Sequence, residues 1–260
     1  MSGQILTQGR FVWHDLMTRD PAKARVFYTE LVNWSVNEMD MGEHGSYAMF
    51  MNGETGIGGT VSLEGAPDDL PSHWINYISV HDVDASCKKA EELGGKICVP
   101  PFDIPEVGRT AVVEDPNGAV FHLYKAATTE APEKERPDVG DFCWYDCLSS
   151  DVEKAKIFYG GIFGWTFEKP PFEPPFEMWI ALRDGKHVAA IMAKPDDVPR
   201  STWMSYLLVE NLQASTERAE KLGAKKLMGP NPIPNIGTFN LIEDPTGAHL
   251  LLFEGVSEKS

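Results

Sequence analysis

The chain of 260 residues reads as an α+β protein in which one domain is written twice. Three observations predict this. The sequence repeats itself at a nearly constant offset, each copy alternates strand-like and helix-like apolar periodicity, and each copy closes on the same Asp-Pro-x-Gly turn.

The repeat is direct. Phe11 to Val36 laid over Phe142 to Phe167 gives 9 identities in 26 ungapped positions. His73 to Ile97 over Thr202 to Lys226 gives 10 in 25, and Glu114 to Tyr124 over Glu243 to Phe253 gives 6 in 11. The offset drifts only from 131 to 129, as a tandem duplication requires. Between the copies, Ala126 to Gly140 is charged, carries two prolines and has Val139 as its only large apolar residue, the composition of an exposed linker. The expected organisation is a first domain over 1–127, a linker over 128–140 and a second domain over 141–260.

The first copy opens with a strand from Phe11 to Met17. Asp20 then caps a helix that has proline at its first position, and Ala24, Phe27, Tyr28 and Leu31 form its apolar stripe. Asp151 caps the counterpart, with Ala155, Phe158, Tyr159 and Ile162 as its stripe. Strands are predicted over Ser46 to Met51, Gly56 to Leu63 and Trp74 to Val80. A second helix follows from about Asp84 to Leu93, stopped by the left-handed residue Gly94. Leu212, Thr216, Ala219, Leu222 and Gly223 copy it. Strands over Thr110 to Val113 and Ala119 to Tyr124 are joined by the Asp115-Pro116-Asn117-Gly118 hairpin turn, matched by Asp244-Pro245-Thr246-Gly247. The proline-rich stretches Pro100 to Val107 and Gly229 to Ile236 read as stiff loops. The Lys169 to Phe176 stretch, KPPFEPPF, has no match in the first copy.

A fainter quarter repeat, offset by 62, relates Asp20 to Asp82 and Leu31 to Leu93. Each copy is therefore two βαβββ modules. One helix covers only one face of such a small sheet, so paired modules should curl their open faces into a cup suited to a small molecule.

With 23 basic and 39 acidic side chains the formal charge is −16, which argues against nucleic acid and anionic membrane as partners. No run of eighteen apolar residues occurs, and Met1 to Gln8 lack the pattern of a secretory signal, so a soluble, cytoplasmic protein is expected. Cys87, Cys98, Cys143 and Cys147 have neither disulfide-framework nor zinc spacing and read as small buried thiols. Monomer and homodimer both remain open.

WHDLMTRDPAKARVFYTEL at the start of a copy and VVEDPNGAVFHLY at its end closely resemble the vicinal oxygen chelate superfamily of glyoxalase I, bleomycin-resistance proteins and extradiol dioxygenases. The resemblance covers essentially the whole chain. It implies paired βαβββ modules around a cup and, in members that do chemistry, a divalent metal held by His, Gln or Glu from the first, fourth, fifth and eighth strands. Carried onto this sequence, the first-strand position falls on Trp13 and Trp144, and the fifth on Ile75 and Met204. The fourth strand, Gly56 to Val61, has no His, Asp or Glu. Only His122 on the last strand is competent, and its counterpart is Leu251. No tightly held metal is the leading expectation, and a divalent ion held partly by His122 is the alternative.

The family register and the period of two along a strand sort residues onto the cup face. The first copy should present Trp13, Asp15, Tyr77, Val120, His122 and Tyr124, and the second Trp144, Asp146, Tyr206, His249, Leu251 and Phe253. His14 should point to the helix layer. Asp15 and His122 then form a candidate acid–base pair with Tyr77 as hydroxyl donor, while Trp13, Tyr124, Trp144, Asp146, Tyr206 and His249 are candidate ligand-binding residues. Each has a plainer reading: the tryptophans as core, the aspartates as acceptors from backbone N–H or a tyrosine hydroxyl, and the histidines as packing residues. Three functions follow: a glyoxalase-like isomerase or lyase acting on a carbonyl-containing metabolite, a protein that only sequesters its ligand, and a metal-dependent glyoxalase or dioxygenase.

Overall fold

The computed structural model describes residues 7–40, 46–130 and 132–256. The first copy contains β1 (Phe11–Thr18), α1 (Pro21–Val32), β2 (Ser35–Asp40), β3 (Ser46–Asn52), β4 (Thr55–Ser62), β5 (His73–Ser79), α2 (Val83–Glu92), β6 (Lys96–Ile104), β7 (Gly108–Glu114) and β8 (Val120–Ala126). The second contains β9 (Phe142–Ser149), α3 (Val152–Phe163), β10 (Thr166–Glu168), β11 (Met178–Arg183), β12 (Lys186–Ala193), β13 (Thr202–Leu208), α4 (Leu212–Lys221), β14 (Lys225–Ile233), β15 (Gly237–Glu243) and β16 (His249–Gly255). The sheet orders are β2-β3-β4-β1-β5-β8-β7-β6 and β10-β11-β12-β9-β13-β16-β15-β14. This is the tandem α+β arrangement expected from the repeat.

Local chemistry starts and stops the helices as read. Asp20, Asp82, Asp151 and Asn211 each accept a hydrogen bond from the backbone N–H three residues on, at 2.8–3.0 Å. Gly94 and Gly223, just past α2 and α4, have φ of +85° and +98°. Both Asp-Pro-x-Gly turns close with a bond from the glycine N–H to the aspartate carbonyl, at 3.0 and 2.9 Å.

Two segments differ from expectation. The stretches containing Pro100–Pro101 and Pro230–Pro232 are not loops but lie in β6 and β14, the outermost strands of their sheets. An edge strand has N–H groups with no ladder partner, so proline is tolerated there, and register shifts accommodate it in both strands. Cys98 is likewise exposed on β6, whereas Cys87 and Cys147 are buried.

The chain divides into two compact units that are not the two copies. One comprises residues 1–13, 75–133 and 145–203, and the other 14–74, 134–144 and 204–260. The first joins α2 of copy one to α3 of copy two, and the second joins α1 to α4. In the first unit Gly161 of α3 lets the Leu93 side chain approach to within 2.6 Å of where a Cβ would stand.

Each unit centres on one buried relay. In the first, Trp203 Nε1–H donates to the Tyr159 hydroxyl at 2.9 Å, and that hydroxyl donates to Asp115 Oδ2 at 2.9 Å. In the second, Trp74 Nε1–H donates to the Tyr28 hydroxyl at 2.9 Å, which donates to Asp244 Oδ2 at 2.8 Å. Burial holds both tyrosines well above the usual phenol range, so they stay protonated donors. The other oxygen of each aspartate accepts backbone N–H groups of its own hairpin turn. Aromatic rings surround the relays, Phe121, Phe158, Phe163 and Trp165 in one unit and Trp34 and Phe50 in the other.

Removing the Tyr28 hydroxyl leaves an indole N–H and a carboxylate oxygen each short of a partner, so Tyr28→Phe should cost about 2 kcal/mol in urea denaturation. Tyr159→Phe should cost a similar amount. Val26→Ala, on the exposed side of α1, should change stability by less than about 0.5 kcal/mol. Equal effects of Tyr28→Phe and Val26→Ala would deny the relay its role.

Candidate functional site

In the first unit, β5 and β8 run parallel with Tyr77 opposite His122 and Ser79 opposite Tyr124. The antiparallel β7 places Val112 opposite His122 and Thr110 opposite Tyr124. These residues share the sheet face opposite α2, because Ala111, Val113, Phe121 and Leu123, which alternate with them, are wholly buried on the other.

The Tyr77 and His122 rings stack with centroids 4.0 Å apart and planes 14° from parallel, and Tyr124 meets Tyr77 edge-on at 5.9 Å. His122 is 8% exposed. Its Nδ1 lies 3.0 Å from Thr110 Oγ1, and the Thr110 hydroxyl donates to the Leu123 carbonyl at 2.9 Å. A hydroxyl has one hydrogen, so Thr110 must accept from His122 Nδ1–H. That bond fixes the neutral imidazole in the tautomer that carries its lone pair on Nε2.

Tyr124 donates to the Val107 carbonyl at 2.9 Å. Burial, then the nearby Glu130 carboxylate, pushes its hydroxyl above the usual range. Glu130 lies in the segment read as a linker, yet one of its oxygens accepts from Thr7 N at 3.1 Å and the other from the Ser79 hydroxyl. It therefore sits against the same face of β5. Trp13, half-buried on β1, and Asp146, 5% exposed on β9, belong to this unit.

The second unit holds Asp15, Trp144, Tyr206 and His249. Asp15 is 3% exposed and accepts from the Tyr47 hydroxyl at 2.5 Å, one of its two plain readings. Tyr47 lies over Gly59, where a Cβ would collide with its ring. Tyr206 stands opposite Leu251 and packs edge-on against Phe239 and Phe253. Phe239 and Leu251 occupy in copy two the places of Thr110 and His122, so the imidazole and its orienting hydroxyl are missing at those two places. His249 shares the face of Leu251 and Phe253 at the exposed start of β16, its Nε2 3.7 Å from Glu243 Oε2. Trp144 is half-buried on β9.

Sequence reading missed Thr110, Tyr47 and Glu130. Thr110 and Tyr47 carry a detectable signal, since both alternate in phase with residues facing the same way along their strands. Glu130 carries none.

Among the described residues no group of three or more His, Cys, Asp or Glu is gathered to hold a metal. At the ligand positions that the resemblance implies on the first and fifth strands, Trp13 offers no donor and Ile75 is a buried hydrocarbon, which leaves His122 by itself. A divalent site commonly takes three or four protein ligands, and this donor set does not fit one.

The family model described as Glyoxalase/Bleomycin resistance protein/Dioxygenase superfamily matches residues 10–123 and again 144–252. The chain belongs to that superfamily. Among its superfamily relatives is a protein named "Putative glyoxylase CFP32" from Mycobacterium tuberculosis, 30% identical over 243 residues and aligned over 93% of each chain. The anthracycline biosynthesis protein DauV of Streptomyces sp. (strain C5) is 26% identical over 95% of this chain and 93% of its own length. Among solved structures, the Mn(II)-bound glyoxalase from Novosphingobium aromaticivorans aligns with a TM-score of 0.65 at 16% identity, covering 97% of this chain and 85% of that one. The 2,3-dioxygenase LapB from Pseudomonas sp. KL28 aligns with a TM-score of 0.66 at 13% identity, covering 98% and 96%. At these identities the two structures show the shared fold. No helix among the described residues is long and apolar enough to cross a membrane.

His14 faces the packed interior rather than the candidate site. It is 6% exposed, donates from Nδ1 to the Ile57 carbonyl at 2.8 Å and stacks on Phe142 at 3.9 Å. Burial lowers its pKa to about 4, against weaker upward effects of the Ile57 carbonyl and Asp141. Between pH 6.5 and 4 the unfolded chain binds a proton at this residue that the folded chain refuses, so stability falls as pH drops through that window. The loss should approach about 3 kcal/mol at the acid end. Urea denaturation from pH 7 to 4 should show a shallower decline in His14→Gln than in the natural chain; identical slopes would refute the assignment.

Proposed function

We propose that this chain is a glyoxalase-like protein that binds a small carbonyl-containing metabolite and acts on it as an acid–base isomerase or lyase, without a tightly held metal. The observation that carries the proposal is the Thr110–His122 bond, which presents Nε2 as the basic nitrogen of a buried imidazole on the face opposite α2. A base there removes a proton from carbon next to a carbonyl and returns it to the product. The Thr110 oxygen holds the ring in place while the imidazolium forms. In this reading Tyr77 donates a hydrogen bond to the developing enolate oxygen. Trp13 and Tyr124 supply aromatic contact.

Copy two favours a second role. With Phe239 and Leu251 in place of Thr110 and His122, the face around Tyr206 offers apolar contact and lacks the threonine-oriented imidazole of copy one. Binding without reaction is the function proposed for it, with Trp144, Tyr206 and His249 as the contacts drawn from the sequence.

The test is turnover of a panel of carbonyl metabolites, with ligand affinity followed by tryptophan fluorescence. His122→Ala should lower turnover at least about 100-fold with affinity changed less than about threefold. Thr110→Val should lower it by a smaller factor and shift its pH profile. Loss of binding in Trp13→Ala with no turnover in the natural chain would instead establish sequestration. Elemental mass spectrometry of protein purified without an affinity tag should find no stoichiometric divalent metal. About one ion per chain, lost in His122→Ala, would overturn the metal-free reading.

A further inference from the structure

The sheet face that carries His122 also holds a negative charge that the proposed chemistry does not use. Glu130 Oε1 accepts from the Ser79 hydroxyl and Oε2 from Thr7 N at 3.1 Å, both neutral donors. Among the described residues no lysine or arginine pairs with this half-buried carboxylate; Arg10 reaches the same segment but donates to the Pro132 carbonyl, at 3.4 Å. A carboxylate has about four lone-pair sites, so Glu130 keeps places for a further donor.

Tyr124 feels this charge without bonding it. Its hydroxyl, raised above the usual range by burial and then by Glu130, spends its hydrogen on the Val107 carbonyl at 2.9 Å. A Cβ on Gly108 would stand 2.9 Å from the Tyr124 ring, so the glycine makes room for that ring against the sheet. With its hydroxyl tied down, Tyr124 offers an aromatic surface beside an uncompensated carboxylate, a setting that attracts an organic cation.

Strand register places this setting relative to the base. Ser79 stands opposite Tyr124 and Tyr77 opposite His122, so the two pairs lie two residues apart along β5 and β8 on one face. At a rise of about 3.3 Å per residue that is roughly 7 Å, the reach of about five covalent bonds. Copy two lacks the arrangement, since Leu208 and Phe253 stand where copy one has Ser79 and Tyr124. We propose that the carbonyl metabolite handled at His122 carries a basic amine about five bonds from the carbon that loses its proton, and that its ammonium pairs with Glu130 against the Tyr124 ring. This rests on the acid–base reading of His122 and adds the substrate's charge to it. His122 Nε2 takes the carbon-bound proton and returns it, while the ammonium keeps its own proton throughout.

Three methyl ketones with the same five-methylene chain, ending in a dimethylammonium, an isopropyl or a carboxylate group, are the probes for titration calorimetry on the full chain. The ammonium ketone should bind saturably and at least about tenfold more tightly than the isopropyl ketone, with the carboxylate weakest. Glu130→Gln should bring the first two within about threefold of each other, while Glu64→Gln, a neutralisation at an exposed site, should leave their ratio unchanged. No saturable binding of the ammonium ketone, equal affinities in the natural chain, or an undiminished ratio in folded Glu130→Gln would overturn the proposal. If Glu130→Gln fails to fold, backbone amide shifts of the natural chain with the ammonium ketone decide: shifts centred on Ser79 and Tyr124 support it, and shifts spread over the acidic surface overturn it. The base is read separately, as His122-dependent deuterium uptake at the carbons next to the carbonyl in heavy water. Selectivity without uptake would remove the catalytic role and leave the ammonium site; uptake without selectivity would remove the ammonium site and leave the base.

Discussion

Everything else in the fold rests on the two buried Trp–Tyr–Asp relays. Each takes its indole and phenol from one copy and its carboxylate from the other: Trp74 and Tyr28 with Asp244, Trp203 and Tyr159 with Asp115. A buried carboxylate is tolerable only when its oxygens are bonded, and here one oxygen closes a hairpin turn while the other reaches across to the other copy. The same residue thus shapes its own strand pair and ties two modules together. Desolvation still raises the Asp115 carboxyl above its ordinary range, which shows how far the site is removed from water. Two further indole bonds follow the same exchange, Trp165 to the Gly9 carbonyl and Trp34 to the Gly140 carbonyl.

With the frame held by these residues, the rest of each copy has diverged. The sheet face around Tyr77 carries an imidazole with its orienting threonine, while the matching face around Tyr206 carries phenylalanine and leucine. On the helix side an arginine spanning two aspartates in one copy gives way to an acid-lined groove in the other. One fold therefore offers chemically unlike surfaces at positions related by its own repeat.

Much of the frame was legible because it is local. The helix stripes Ala24, Phe27, Tyr28, Leu31 and Ala155, Phe158, Tyr159, Ile162 are buried as their spacing requires, and the capping aspartates and turn glycines act where they stand. The relays were not legible, since nothing near Tyr28 in the chain points to Asp244. The candidate site divides in the same way. Tyr77 and His122 follow from period-two alternation and a family position. The tautomer of His122 depends on Thr110, whose side chain acts across a strand pair, and Glu130 reaches its sheet by a backbone path that composition does not encode. Prolines misled for a physical reason: the local rule that excludes them from strands fails at a sheet edge.

Those edge prolines also decide where each sheet ends. A strand recruits a neighbour through a continuous row of N–H and C=O groups, and Pro100, Pro101, Pro230 and Pro232 interrupt that row on β6 and β14. Val99, Phe102, Leu227 and Met228 stand exposed on the same strands and would otherwise make them attractive templates for cross-β growth. The missing donors act as gatekeepers, opposing strand addition along these apolar rims.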